Sequence, residues 1–230
     1  MIEHATSESV GLDLPLYSFA EADRLAKVSR GTAKRWLAGY QYVGPRGALV
    51  SRPPITAGNQ KNLDEGVSFL DLIELAAIGG LREIGFSLGM IRALVSNCRE
   101  LLQIPHPLVS LRFKTDGRDI FVTRHDVLLD VLRRKGAQAW SEVFEPLLET
   151  LDYQDAVARR LWPLGKDKPI VVDPDYGFGL PIIQGSGIRT EIILERFQAG
   201  DLPAQIAEDF NVAVLDVERA LQFEVSRAAA

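Results

Sequence analysis

Phe19, Ala22, Leu25 and Ala26 recur at the three- and four-residue spacing of one helix face. Ser18 and Glu21 stand three apart at its start, the spacing of a capping box. The stretch KVSRG breaks this pattern, and Ser29 is then placed as N-cap of a second helix reaching Gly39. On that helix Ala33, Trp36 and Leu37 share a face, and Arg30, Lys34 and Arg35 point elsewhere. Two short helices across a tight turn predict a helix-turn-helix. Tyr42 to Asn59 is rich in Gly and Pro and reads as irregular or hairpin-like chain. Helical spacing returns with Phe69, Leu72, Ile73, Ala76 and Ala77, and the Gly79–Gly80 pair is expected to end it. Leu88, Ile91, Leu94, Val95, Cys98, Leu101 and Leu102 form the next stripe, stopped by IPHP and read as core or dimer seam.

Alternation in LRFKTDGRDIFV predicts a hairpin turning at Asp116–Gly117, with helices following at 124–134 and 139–151. Gly165 to Pro169 reads as a boundary. IVVDP and LPIIQG beyond it are strand candidates. Three helices close the chain: 190–198, a second capped by Asp201 and ending at Phe210, and 214–225. Their shared core is expected from Leu202, Ile206, Phe210, Val214, Val217 and Leu221. The fold class is therefore mainly α with short β hairpins, an N-terminal winged helix-turn-helix joined to a C-terminal three-helix domain.

Charge changes this picture. The chain has 230 residues and a formal net charge of −5, yet eight basic residues and no Asp or Glu lie between Arg24 and Lys61. Residues 170–230 hold four basic residues against ten acidic ones. A basic end on an acidic body points to a polyanion partner at that end. Arg donates two hydrogen bonds to a guanine edge, and Lys and Thr reach phosphates. Ser29, Arg30, Thr32, Lys34 and Arg35 are the candidate DNA-facing residues of the helix pair, with Arg46 and Arg52 as a wing against the backbone. The last helix carries Asp216, Glu218 and Glu224 against Arg219, which repels phosphates and suits a protein partner or self-association.

Other chemistry is thin. Asp173 and Asp175 flank Pro174 as turn formers, and GFGLPIIQGSG lacks phosphate-loop spacing. His4, His106 and His125 are scattered and Cys98 is the single cysteine, so neither a metal site, a cofactor nor an enzymatic nucleophile is expected. One cysteine suits a reducing cytoplasm. Neither a signal-peptide pattern nor a membrane-spanning run is present in the sequence, so no membrane partner is expected.

YSFAEADRLAKVSRGTAKRWLAGY resembles the DNA-binding half of MerR-type winged regulators, and DLIELAAIGGLREIGFSLGMIRALV resembles the helix pair that follows their wing. The segment from PIVVDPDYGFG to ALQFE resembles a small helical domain of bacterial antitoxins. The combination is similar to VapB-type antitoxins. The resemblance implies a MerR-like winged domain at 14–104, a connecting α+β region at 105–168 and an antitoxin-associated domain at 169–230. It also implies a protein that represses its own operon and holds a cognate PIN-like ribonuclease toxin inactive; pairing to match two half-sites favours a homodimer, and for an arginine inserted into the toxin's site the candidates are Arg189, Arg219 and Arg227. The alternative is a MerR-like ligand-responsive regulator without a toxin.

Overall fold

A computed structural model describes residues 11–45, 47–56, 66–103, 105–110, 140–154 and 157–228. The chain divides into two compact units, Met1–Leu148 with Asp155–Ala158 and Glu149–Gln154 with Arg159–Ala230.

The first unit is built around one buried helix. Helices α1 (Phe19–Leu25) and α2 (Thr32–Ala38) are followed by strands β1 (Tyr40–Val43) and β2 (Leu49–Arg52), then by α3 (Phe69–Glu83) and α4 (Leu88–Leu102). The capping box at Ser18 forms as expected: its hydroxyl accepts the Glu21 N–H, and Glu21 accepts the Ser18 N–H at 2.8 Å. α3 is apolar on nearly every side and sits in the core, where Phe69, Leu72, Ile73, Leu75 and Ile78 are fully buried. It does not end at Gly79–Gly80 but continues to Glu83. The glycines mark close approaches instead. A Cβ on Gly79 would stand 2.8 Å from Cγ1 of Val28, and one on Gly80 would stand 2.7 Å from Cγ1 of Val143. The stripe on α4 packs inward, with Ile91, Val95 and Cys98 fully buried, so it is core within one chain. The hairpin expected at Asp116–Gly117 and the helix at 124–134 lie outside the described residues.

The helix expected at 139–151 is a π-helical turn, Trp140–Phe144, leading into the short α5 (Glu145–Glu149). Leu151 then opens a strand. β3 (Leu151–Gln154), β4 (Val157–Leu161), β5 (Ile170–Val172) and β6 (Pro181–Ile183) form a sheet in that order, antiparallel from β4 to β6. The two strand candidates are there, all buried, and β3 and β4 were not anticipated. Trp162, Val171 and Ile182 pack together beside them.

Three helices follow: α6 (Thr190–Gln198), α7 (Pro203–Phe210) and α8 (Val214–Ala228). Asp201 does not cap α7. Leu202 takes that position before Pro203, and its N–H donates to Gln205 Oε1 at 2.9 Å. Asp201 pairs with Arg196 at 2.6 Å, and Arg196 also reaches Asp209 at 2.6 Å. Of the expected shared core, Ile206 and Val217 are fully buried, but Leu202 is 62% and Val214 42% exposed. Ile193, Ala207, Ala220 and Phe223 fill the interior instead, beside Thr190, whose hydroxyl donates to the buried Glu224. Among the described residues no helix is long and apolar enough to cross a membrane.

Candidate nucleic-acid interface

α2 begins on a residue that carries no side chain. Gly31 is its N-cap, with φ 78°, and offers no capping oxygen. Ser29, the expected cap, contributes only its backbone carbonyl, which accepts the Thr32 N–H at 3.0 Å. The cap comes from α1. Asp23, 3% exposed, accepts the Gly31 N–H at 2.6 Å on Oδ2 and the Ala33 N–H at 2.7 Å on Oδ1. A buried carboxylate held this way neutralises the positive end of α2 and fixes the turn between the helices. Lys27 takes a left-handed conformation (φ 55°) where α1 ends, and Val28 folds back to donate to the Asp23 carbonyl at 2.9 Å. Arg24 and Lys27 remain exposed beside this turn.

With the inner face of α2 fixed by Ala33 and Leu37, the outer side is set. Ser29, Arg30, Lys34 and Arg35 are exposed. Arg35 lies along the first turn, donating from Nε to the Gly31 carbonyl at 3.2 Å and from Nη2 to Thr32 Oγ1 at 3.3 Å. Thr32 is 4% exposed and faces inward, so it leaves the exposed set and supports Arg35 from below.

The hairpin leaves α2 at once. Gly39 (φ 76°) ends the helix, and a Cβ there would meet the Arg52 carbonyl at 2.6 Å, so the backbones touch where only glycine fits. Tyr40 pairs with Arg52 and Tyr42 with Val50 across the ladder. Arg52 donates to the Tyr42 hydroxyl at 3.3 Å, with its guanidinium carbon 5.9 Å from the ring centroid. Val43 and Leu49 face each other at the tip, 69% and 66% exposed. Beyond the hairpin, the Ile55 N–H donates to the Trp36 carbonyl at 2.8 Å and Arg92 Nε to the Pro53 carbonyl at 3.1 Å. Arg46 lies outside the described residues.

Residues 15–95 match the family described as "Putative DNA-binding HTH domain". The first unit contains a helix-turn-helix domain. Residues 170–223 match a second family, described as "Protein of unknown function (DUF433)". Over 220 residues the chain is 28% identical to "Putative antitoxin VapB45" of Mycobacterium tuberculosis, covering 87% of this chain and 90% of that one. It is 26% identical over 227 residues to "Uncharacterized protein Rv2308" of the same organism, covering 92% and 91%. The crystal structure of Rv2018 from Mycobacterium tuberculosis has the same fold, with a TM-score of 0.67 at 24% identity over 91% of this chain and 99% of that one.

Away from the helix-turn-helix surface two further groups of polar residues stand out. His4 and His125 lie outside the described residues; His106 reaches Asp13, Asp71 and Glu74, and among the described residues Asp71, Glu74 and His106 are the one buried set able to share a cation. Burial alone would lower the His106 pKa. Hydrogen bonds to Asp13 and Glu74, and the charges of Glu74 and Asp71, outweigh it and lift the value to about 10. Asp173 behaves as a turn former, accepting the Asp175 N–H at 3.0 Å while Arg160 pairs with its other oxygen at 2.5 Å. On the acidic C-terminal helices Arg219 bonds Gln222 at 3.1 Å. Sequence reasoning missed Asp23 and the His106 cluster because both join residues distant in the chain. The aromatic pair Tyr40 and Tyr42, beside Arg52, was missed as well, and the alternation in YQYV is the signal that could have found it.

Proposed function

We propose that the protein is an antitoxin of the VapB type: a DNA-binding repressor of its own operon that also neutralises a cognate PIN-like ribonuclease by direct binding. The observation that carries the DNA half is the outer side of α2, where Arg30, Lys34 and Arg35 are exposed together on a helix whose start is anchored by the buried Asp23. A MerR-like reading assigns α2 to the major groove and the hairpin, with Arg52, to the phosphate backbone as a wing. The toxin half is supported by the likeness to an antitoxin over 87% of the chain. The acidic excess of residues 170–230 suits a protein partner rather than phosphate.

Two copies of the chain would match two half-sites on an operator, as readers of this kind pair. The experiment has two arms. In the first, the chain is tested for binding to the DNA upstream of its own gene, against an Arg30/Arg35 double alanine variant. In the second, the protein encoded beside it is expressed alone and with the full chain. Specific binding lost in the variant, with toxicity rescued by the full chain, is the expected result. A harmless neighbour that never co-purifies removes the antitoxin assignment, and equal DNA binding by the variant removes the assignment of α2.

A further inference from the structure

The last buried charges in the helix-turn-helix unit belong to no part of the DNA surface. Asp71 and Glu74 stand three residues apart on α3, so they share a face. Both are buried, at 2% and 0% exposure, in the first two turns of a largely apolar helix. His106 arrives from the turn after α4, 8% exposed. Its Nδ1 lies 3.2 Å from Glu74 Oε2 and 3.9 Å from Asp71 Oδ1. One donor atom from each of the three side chains lies within 4.8 Å of the others.

Two details show that this is more than an ion pair. The carboxylate of Asp71 is aimed: Ser68 donates its hydroxyl to Oδ2 at 2.8 Å, which leaves Oδ1 turned toward the imidazole with no hydrogen-bond partner. Glu74 Oε1 is equally without one. Unsatisfied carboxylate oxygens at this depth are costly and call for a cation. On the far side of the ring, His106 Nε2 lies 3.3 Å from Asp13 Oδ1. Asp13 Oδ1 has no other hydrogen-bond partner, and from that distance its carboxylate can steer the ring once Nδ1 exchanges its proton for a cation, as carboxylates orient metal-bound histidines.

We propose that Asp71, Glu74 and His106 bind one divalent first-row transition cation, with Asp13 as the positioning residue for the imidazole. One nitrogen and two carboxylates suit Zn2+ or Mn2+; Ca2+ requires six to eight oxygens, and soft thiophilic ions require sulfur. Asp13, with its side chain 35% exposed, marks the way in from solvent. A bound ion would tie the segment before α1, helix α3 and the turn after α4 together.

The test uses the untagged full chain, stripped with chelator and titrated calorimetrically with Zn2+ and with Mn2+ alone. One ion per chain is expected, with a rise in Tm. Asp71→Asn and His106→Gln should each weaken binding at least tenfold, and Asp13→Asn roughly ten- to a hundredfold with stoichiometry retained. A His4→Gln/His125→Gln double variant, which leaves the cluster intact, should bind as the parent does. The proposal is overturned by absence of stoichiometric binding to the parent chain, by undiminished binding in His106→Gln, or by loss of binding in the His4/His125 variant. Should either cluster variant fail to fold, Co2+ bound to the parent chain decides: visible bands of nitrogen and oxygen ligation, displaced by Zn2+, support the site, and a sulfur charge-transfer band refutes it.

Discussion

Asp23 on α1 holds the first turn of α2 by accepting the Ala33 N–H at 2.7 Å, ten residues further along the chain. Its other oxygen takes the Gly31 N–H at 2.6 Å. Helix α2 is only seven residues long and too short to persist alone. Asp23→Ala should therefore cost about 2–4 kcal/mol, since two buried charge-assisted hydrogen bonds disappear together. Ser29→Ala, which removes the hydroxyl placed at the cap by the sequence pattern, should stay within about 0.5 kcal/mol. Urea denaturation of the two variants separates these outcomes, and a larger loss for Ser29→Ala would reverse the assignment.

On the DNA-binding reading, Arg30→Ala or Arg35→Ala should cost about 1–3 kcal/mol at the operator if either makes a bidentate base contact. Arg52→Ala should weaken all sequences alike and reduce the slope of log K against log salt by about one. Fluorescence anisotropy across a salt series reads both. A sequence-dependent loss for Arg52 would move the hairpin from the backbone to the bases.

Gly80→Ala improves intrinsic helix propensity by about 1 kcal/mol. It also drives a methyl group to 2.7 Å from Cγ1 of Val143, whose branched side chain is stiff at χ1. Overpacking of that kind costs about 1–3 kcal/mol, so the net effect should be a lowered Tm. A raised Tm would mean that α3 and the Trp140–Phe144 turn separate without cost.

How much of this was legible beforehand depends on the range of the interaction. The Ser18–Glu21 box, the stripe on α4 and the three C-terminal helices are set by residues within one or two turns, and the pattern reveals them. Gly79 and Gly80 have the composition of a stop signal, but the reason for them is Val28 and Val143, each more than fifty residues away. Leu202 and Val214 keep the helical period and still face solvent, because they stand at the N-terminal ends of α7 and α8, outside the turns that pack inward. In the candidate interface the basic residues could be read directly. Asp23, which makes them usable, looks in sequence like one more acid in an ordinary amphipathic helix.

Cys98 is fully buried on α4, and burial, helped by the charge of Glu74, pushes its thiol pKa up to about 12. At neutral pH it is a protonated, enclosed thiol. Ellman's reagent should label the native chain no faster than the unit opens, and rapidly in denaturant. Fast native labelling would show that α4 detaches under native conditions.

Asp152 is held below its usual pKa. Burial opposes this, but hydrogen bonds from Lys166 and Trp162 and the charges of Lys166 and Arg160 prevail. A carboxylate depressed in the folded state adds stability above its unfolded value of 3.8, which is lost as pH falls through the folded one. Asp152→Asn should cost less than about 1 kcal/mol at pH 7, because the pair is solvent-screened. The gap to the parent should close as pH drops below about 3.8. The Trp162 indole, 2.8 Å from Asp152 Oδ2, gives a fluorescence readout.

At Gly39 the backbone of the helix end lies against the Arg52 carbonyl, and the bonds of Ile55 to Trp36 and of Arg92 to Pro53 pin the chain just after β2. Helix and hairpin thus behave as the two jaws of a caliper with no screw to turn. On the DNA-binding reading, a duplex that meets both would have to bring its own groove width to the gauge, and sequences stiff at the wrong width would be rejected at positions where no side chain reads a base.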